Sequence, residues 1–105
     1  MATKKPARTY ADHCRIALRL RLARETLLAA MDGLGPGTLR IHDRLALALA
    51  HVDRVRADMD GVMHKDFAGN PPEPRLYYLP TPEIERRLRE AAGGEAQHHE
   101  GPDAT

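Results

Sequence analysis

Apolar residues recur along this chain at alternating steps of four and three. Ile16, Leu20, Ala23, Leu27, Ala30 and Leu34 form one stripe; Ile41, Leu45, Ala48, Val52, Val55, Met59 and Val62 form a second. This rhythm keeps a narrow apolar seam on one side of a helix, so the stripes predict two helices that face each other. The Gly33, Leu34, Gly35, Pro36, Gly37 stretch between them does not continue a helix, and so short a linker makes its neighbours antiparallel. The predicted fold class is all-α: an antiparallel two-helix coiled-coil-like hairpin plus a short C-terminal helix, completed into a bundle by dimerisation.

Start and stop signals place the elements. Residues 1-8 read as a flexible basic arm with Lys4, Lys5 and Arg8. Thr9 and Asp12 have the Thr-x-x-Asp spacing of a capped helix start, and the hairpin spans 9-69. Its first helix is expected to reach Asp32, with Gly33 as a left-handed C-cap. Thr38 is expected to cap the second helix, which runs to about Ala68 and closes at Gly69, Pro71 and Pro72. Within it Gly61 costs about 1 kcal/mol relative to alanine. Residues 70-82 hold five of the eight prolines, around Leu76, Tyr77, Tyr78 and Leu79. Proline fixes an extended backbone, so this stretch is predicted to lie as a strap along the hairpin surface. Thr81 and Pro82 cap and begin a short helix over 83-92, Gly93 ends it, and the polar residues 93-105 form a disordered tail.

At 105 residues the chain is one small domain, and two helices share only one seam, so self-association is the natural way to gain core. Helix 1 also carries more leucine than its seam needs. Leu18, Leu22 and Leu28 fall outside the stripe and, with Leu76, Tyr77 and Tyr78 of the strap, are the expected partner contacts, because leucine and aromatic side chains contribute most when desolvated. The partner is expected to be a protein, most simply a second copy. The net charge of +1 hides an asymmetry: residues 1-56 balance at +6 and residues 57-105 at −5. A basic front half suits an acidic partner, either nucleic acid or the acidic half of another copy.

The longest apolar run, 45-50, is far short of the ~18 residues of a spanning helix, and Lys4 and Lys5 have no hydrophobic region behind them. A cytoplasmic protein with no membrane contact is expected. Cys14 is the single cysteine, which excludes an intrachain disulfide framework. Catalysis has little to stand on, for the chain has no serine, no phosphate-cradling loop, and a His13 beside Cys14 that points elsewhere on a helix. No enzyme, cofactor or metal site is expected. His13, His42, His51 and His64, with Asp60 one turn before His64, lack a converging ligand pattern. Asp58, Asp60 and Gly61 imitate part of a calcium loop, but that register puts Arg56 and Phe67 where carboxylates are required.

A second register competes over residues 15-56. From Leu18 to Leu22 the chain also alternates with period two, and read as a strand it sets Ala17, Arg19 and Arg21 on one face. With a short helix over 23-31, a glycine turn and a helix opened by Thr38, this region resembles a ribbon-helix-helix DNA-binding protein. The resemblance implies two strands of a dimer in the major groove, with Arg19 and Arg21 reading bases and Thr38 near a phosphate. Against it, leucine, arginine and alanine favour helix, only Ile16 is β-branched, and the heptad stripe continues through the segment. On a continuous helix, Arg15 and Arg19 dress one flank of the seam and Arg21 and Arg24 the other. The expected function is a non-catalytic helical protein-protein interaction module, such as an adaptor, inhibitor or small subunit of a complex. The alternative is a DNA-binding regulator using Arg15, Arg19, Arg21 and Thr38.

Overall fold

A computed structural model describes the backbone of residues 7-100 and the side chains of residues 7-93. Three helices carry the fold: α1 (Tyr10–Asp32), α2 (Leu39–Asp66) and α3 (Thr81–Glu100), with a single turn of 3-10 helix at Leu76–Tyr78 between the last two. There is no strand among the described residues. Residues 17-22 lie inside α1, and Ala17, a supposed outward reader of the ribbon, is buried in the core. The β-ribbon therefore has no structural basis here, because the helix-forming preference of leucine, arginine and alanine wins.

α1 starts as its sequence demands. The Asp12 amide donates to the Thr9 hydroxyl at 3.0 Å and the Thr9 amide donates to the Asp12 carboxylate at 2.9 Å, a complete capping box. Other boundaries differ from expectation. Gly33 is not left-handed (φ −90°), and the left-handed glycines of the turn are Gly35 and Gly37. Thr38 precedes α2 but gives it no side-chain cap, since its hydroxyl turns back to donate to the Gly35 carbonyl at 2.6 Å. α2 stops at Asp66, where Ala68 (φ 53°) and Gly69 (φ 84°) turn left-handed. Thr81 is already helical, and its hydroxyl donates to Glu25 at 2.9 Å; the Pro80 carbonyl accepts from the amides of Glu83 and Ile84. α3 continues through Gly93 and Gly94 to Glu100, past the expected stop and into the stretch expected as tail. Good helix formers on both sides of the glycines (Ala91, Ala92, Glu95, Ala96, Gln97) carry the helix across them. The expectations for residues 1-6 and 101-105 fall outside the described residues.

α1 is the element on which both other helices pack, and the 3-10 turn sits against α1 and α2. The core consists of Cys14, Ala17, Met63, Leu76, Tyr77 and Ile84, with Tyr10, Ile16, Leu18, Leu20, Met59, Phe67, Leu79 and Leu88 around it. The proline-rich segment packs Pro71 and, through its 3-10 turn, Leu76 and Tyr77 inward, and leaves Pro72, Pro74, Arg75, Tyr78 and Pro80 exposed. The heptad positions are not the deepest ones. Ile16 and Leu20 are half-buried, Ala23 and Ala30 exposed, and Ile41 and Val55 remain open to solvent. A helix flanked by two neighbours buries the side that lies between them, which moves the core of α1 to Ala11, His13, Cys14 and Ala17 and leaves the stripe at its edge. Among the described residues the buried ones lie away from the Gly33–Gly37 turn, so the core is built at the opposite end of α1 and α2. The radius of gyration of 17.8 Å and extents of 64 × 32 × 23 Å reflect this; a compact chain of this length has a radius of about 13 Å.

Candidate functional site

Two polar constellations tie the open end of the hairpin together. The first centres on His13, fully buried one turn into α1. Its Nδ1 lies 2.6 Å from the Tyr77 hydroxyl and its Nε2 lies 2.8 Å from Oδ2 of Asp66, at the last residue of α2. Arg8 completes the chain, donating from Nε to Asp66 Oδ2 at 2.8 Å and from Nη2 to Oδ1 at 3.4 Å. An ionised carboxylate only accepts, so Nε2 of His13 donates to it. In the neutral ring Nδ1 then accepts from the Tyr77 hydroxyl. Arg8, and after it His13, hold the Asp66 carboxyl below the usual carboxylate range. Burial pushes the Tyr77 phenol above its ordinary value, and burial with the neighbouring Cys14 pushes Tyr10 up to about 12.

The second constellation is a clamp. Arg56 of α2, only 7% exposed, donates from Nε at 3.2 Å and from Nη2 at 3.0 Å to the main-chain carbonyl of Tyr77. Its Nη1 donates to Asp53 at 2.9 Å, and Arg24 of α1 donates to the same carboxylate oxygen at 3.0 Å. Burial works against the charge of Asp53, but the bonds from Arg56 and Arg24 outweigh it and keep the carboxyl below its ordinary range. The Arg56 guanidinium also lies 5.3 Å from the centre of the Tyr78 ring, within cation-π reach.

The Tyr77, His13, Asp66 order is that of a proton relay, yet Tyr77 and His13 are both buried. The network reaches solvent only at its Arg8 and Asp66 end. The two constellations bolt α1, the middle and end of α2, and the 3-10 turn together through charged and directional bonds.

The expected contact residues divide. Leu76 and Tyr77 belong to the core and are not offered to a partner, a correction that follows from the 3-10 turn driving both inward. Leu18 is half-buried against the core. Leu22 (43%), Leu28 (36%) and Tyr78 (50%) are exposed, and Leu39, Ile41, Leu47 and Val55 join them. Six of these seven lie on the hairpin helices. The residues named for nucleic acid are mostly engaged: Arg15 pairs with Asp12 at 3.1 Å, Arg21 with Glu25 at 3.2 Å, and the Thr38 hydroxyl bonds the Gly35 carbonyl, while Arg19 is exposed. His64 bonds the Asp60 carbonyl at 2.9 Å. Among the described residues no three metal-ligating side chains converge. Sequence reasoning missed the roles of Arg8, Arg56 and Asp66. Asp66 finds Arg8 and His13 across more than fifty residues, and although Asp53 is one turn from Arg56, the Tyr77 carbonyl that Arg56 clamps is twenty-one residues away, which no local spacing betrays.

The chain matches no known protein family, no curated protein and no solved structure. No helix among the described residues is long and apolar enough to cross a membrane.

Proposed function

We propose that this chain is a non-catalytic helical interaction module that binds a protein partner through its hairpin. The observation that carries the reading is the distribution of side chains. The His13, Tyr77 and Arg56 side chains are turned inward on their hydrogen-bond partners, whereas large apolar residues stand in solvent along the hairpin. Six large apolar residues left in solvent on two neighbouring helices support a binding role, because covering such side chains favours association. The single, buried Cys14 suits a reducing compartment such as the cytoplasm.

The test uses Leu22→Glu/Leu28→Glu. Both positions are exposed, and glutamate forms helix about as well as leucine, so circular dichroism and thermal stability should stay near wild type. Covering the exposed fraction of each leucine contributes about 1 kcal/mol, so the double change should weaken partner binding about tenfold or more. The readout is affinity capture from native cell extract, with the captured protein identified for wild type and its affinity measured against both forms. Equal affinity of the folded double variant overturns the reading.

A further inference from the structure

The outer face of α2 has a symmetry of its own. Arg44, Leu47, His51, Val55 and Asp58 follow one another at steps of three, four, four and three, which sets them on one side of the helix. All five are exposed, Leu47 to 64% and Val55 to 45%. Neither Arg44 nor Asp58 makes an ion pair among the described residues. The order reads the same way from both ends. Leu47 and Val55 lie four residues on either side of His51, and Arg44 and Asp58, of opposite charge, lie seven on either side. His51 itself stands near the midpoint of α2 (Leu39–Asp66).

We propose that a second copy of this chain docks on this face, α2 against α2 and antiparallel, with the twofold axis at His51. This inference rests on the interaction-module reading and names its partner. A twofold axis brings residue i of one copy against residue j of the other and repeats the contact in reverse. Placed at His51, it sets Arg44 against Asp58 of the second copy and Leu47 against Val55 of the second copy, each contact made twice. Parallel pairing of the same faces would set arginine on arginine and aspartate on aspartate, so charge alone selects the antiparallel arrangement. No other register places two opposite charges and two large exposed aliphatic residues together on this face. The described helix is about 42 Å long, and the central register lets the two copies overlap along nearly all of it. The association closes at two copies, because each copy has one such face.

The experiment is sedimentation equilibrium of the purified full chain, with charge-swapped variants. Wild type should show a concentration-dependent monomer-dimer equilibrium. Arg44→Glu alone and Asp58→Arg alone each replace two attractive contacts by two repulsive ones and should weaken dimerisation about tenfold. The double variant R44E/D58R restores opposite charges across the axis and should return to within about threefold of wild type. His51→Cys gives a second readout. Facing helices pack at 8–10 Å between axes, so Cα atoms at the twofold come within disulfide reach, and the variant should cross-link under oxidation while Ala57→Cys, exposed on another side of α2, should not. A monomer at every concentration, or a double variant no better than the single ones, overturns the proposal. Either result leaves the Leu22/Leu28 experiment free to succeed or fail by itself, since that one reads binding to a captured protein.

Discussion

Replacing Tyr77 with phenylalanine removes one oxygen from the centre of the buried network and almost nothing else. The ring keeps its volume, its place in the core and its edge-on contact with the His13 ring, whose centroid lies 5.8 Å away. What disappears is the 2.6 Å bond to His13 Nδ1, a nitrogen that has no water to turn to because the residue is fully buried. A buried donor or acceptor left without a partner costs about 1–3 kcal/mol, more than the net gain of an ordinary hydrogen bond. Unfolding entropy of about 2 cal/mol/K per residue, over roughly ninety ordered residues, converts this into a melting temperature lower by about 5–15 °C. Thermal unfolding followed by far-ultraviolet circular dichroism at neutral pH measures it. The alkaline limb supplies a second check with its own sign. Burial raises the phenol above the 10.0 of an exposed tyrosine, so the native state favours its protonated form. That contribution is complete below pH 10 and is lost as pH rises through the native-state value. The phenylalanine variant has no such group to lose, so its deficit relative to wild type should shrink above pH 10. A variant that melts within 2 °C of wild type, or above it, refutes the account of Tyr77 as a member of a working network.

Other expectations follow from the same geometry. Asp66 is held below its ordinary 3.8 by Arg8 and then His13, so its contribution is present above about pH 4 and fades as pH falls through the depressed native value; Asp66→Asn should be less stable at neutral pH and should show a flatter acid limb in urea titrations run from pH 6 downward. Gly61 is exposed inside α2 and a Cβ there meets nothing within 4 Å, so Gly61→Ala should raise stability by about 0.5–1 kcal/mol, and a lower urea midpoint would contradict it.

Some of this protein is written locally in its chain. Thr9 and Asp12 specify the start of α1, the Gly33–Gly37 stretch makes the hairpin turn, and the apolar rhythm of 3.5 residues makes both long segments helical, because each signal acts within one or two turns of backbone. The same rhythm says nothing about which side of α1 is covered. That depends on α3 and the 3-10 turn arriving from more than forty residues away, and it is they that bury His13, Cys14 and Ala17 and leave the heptad stripe half open. The proline-rich segment shows the same limit. Its composition shows an apolar cluster among prolines, but not that Arg56 reaches the Tyr77 carbonyl and His13 the Tyr77 hydroxyl. Helix, turn and cap are decided by short-range sterics and hydrogen bonds that a sequence displays. Which polar groups meet, and which leucines are left in water, is decided by packing between distant segments, and only the tertiary structure decides it.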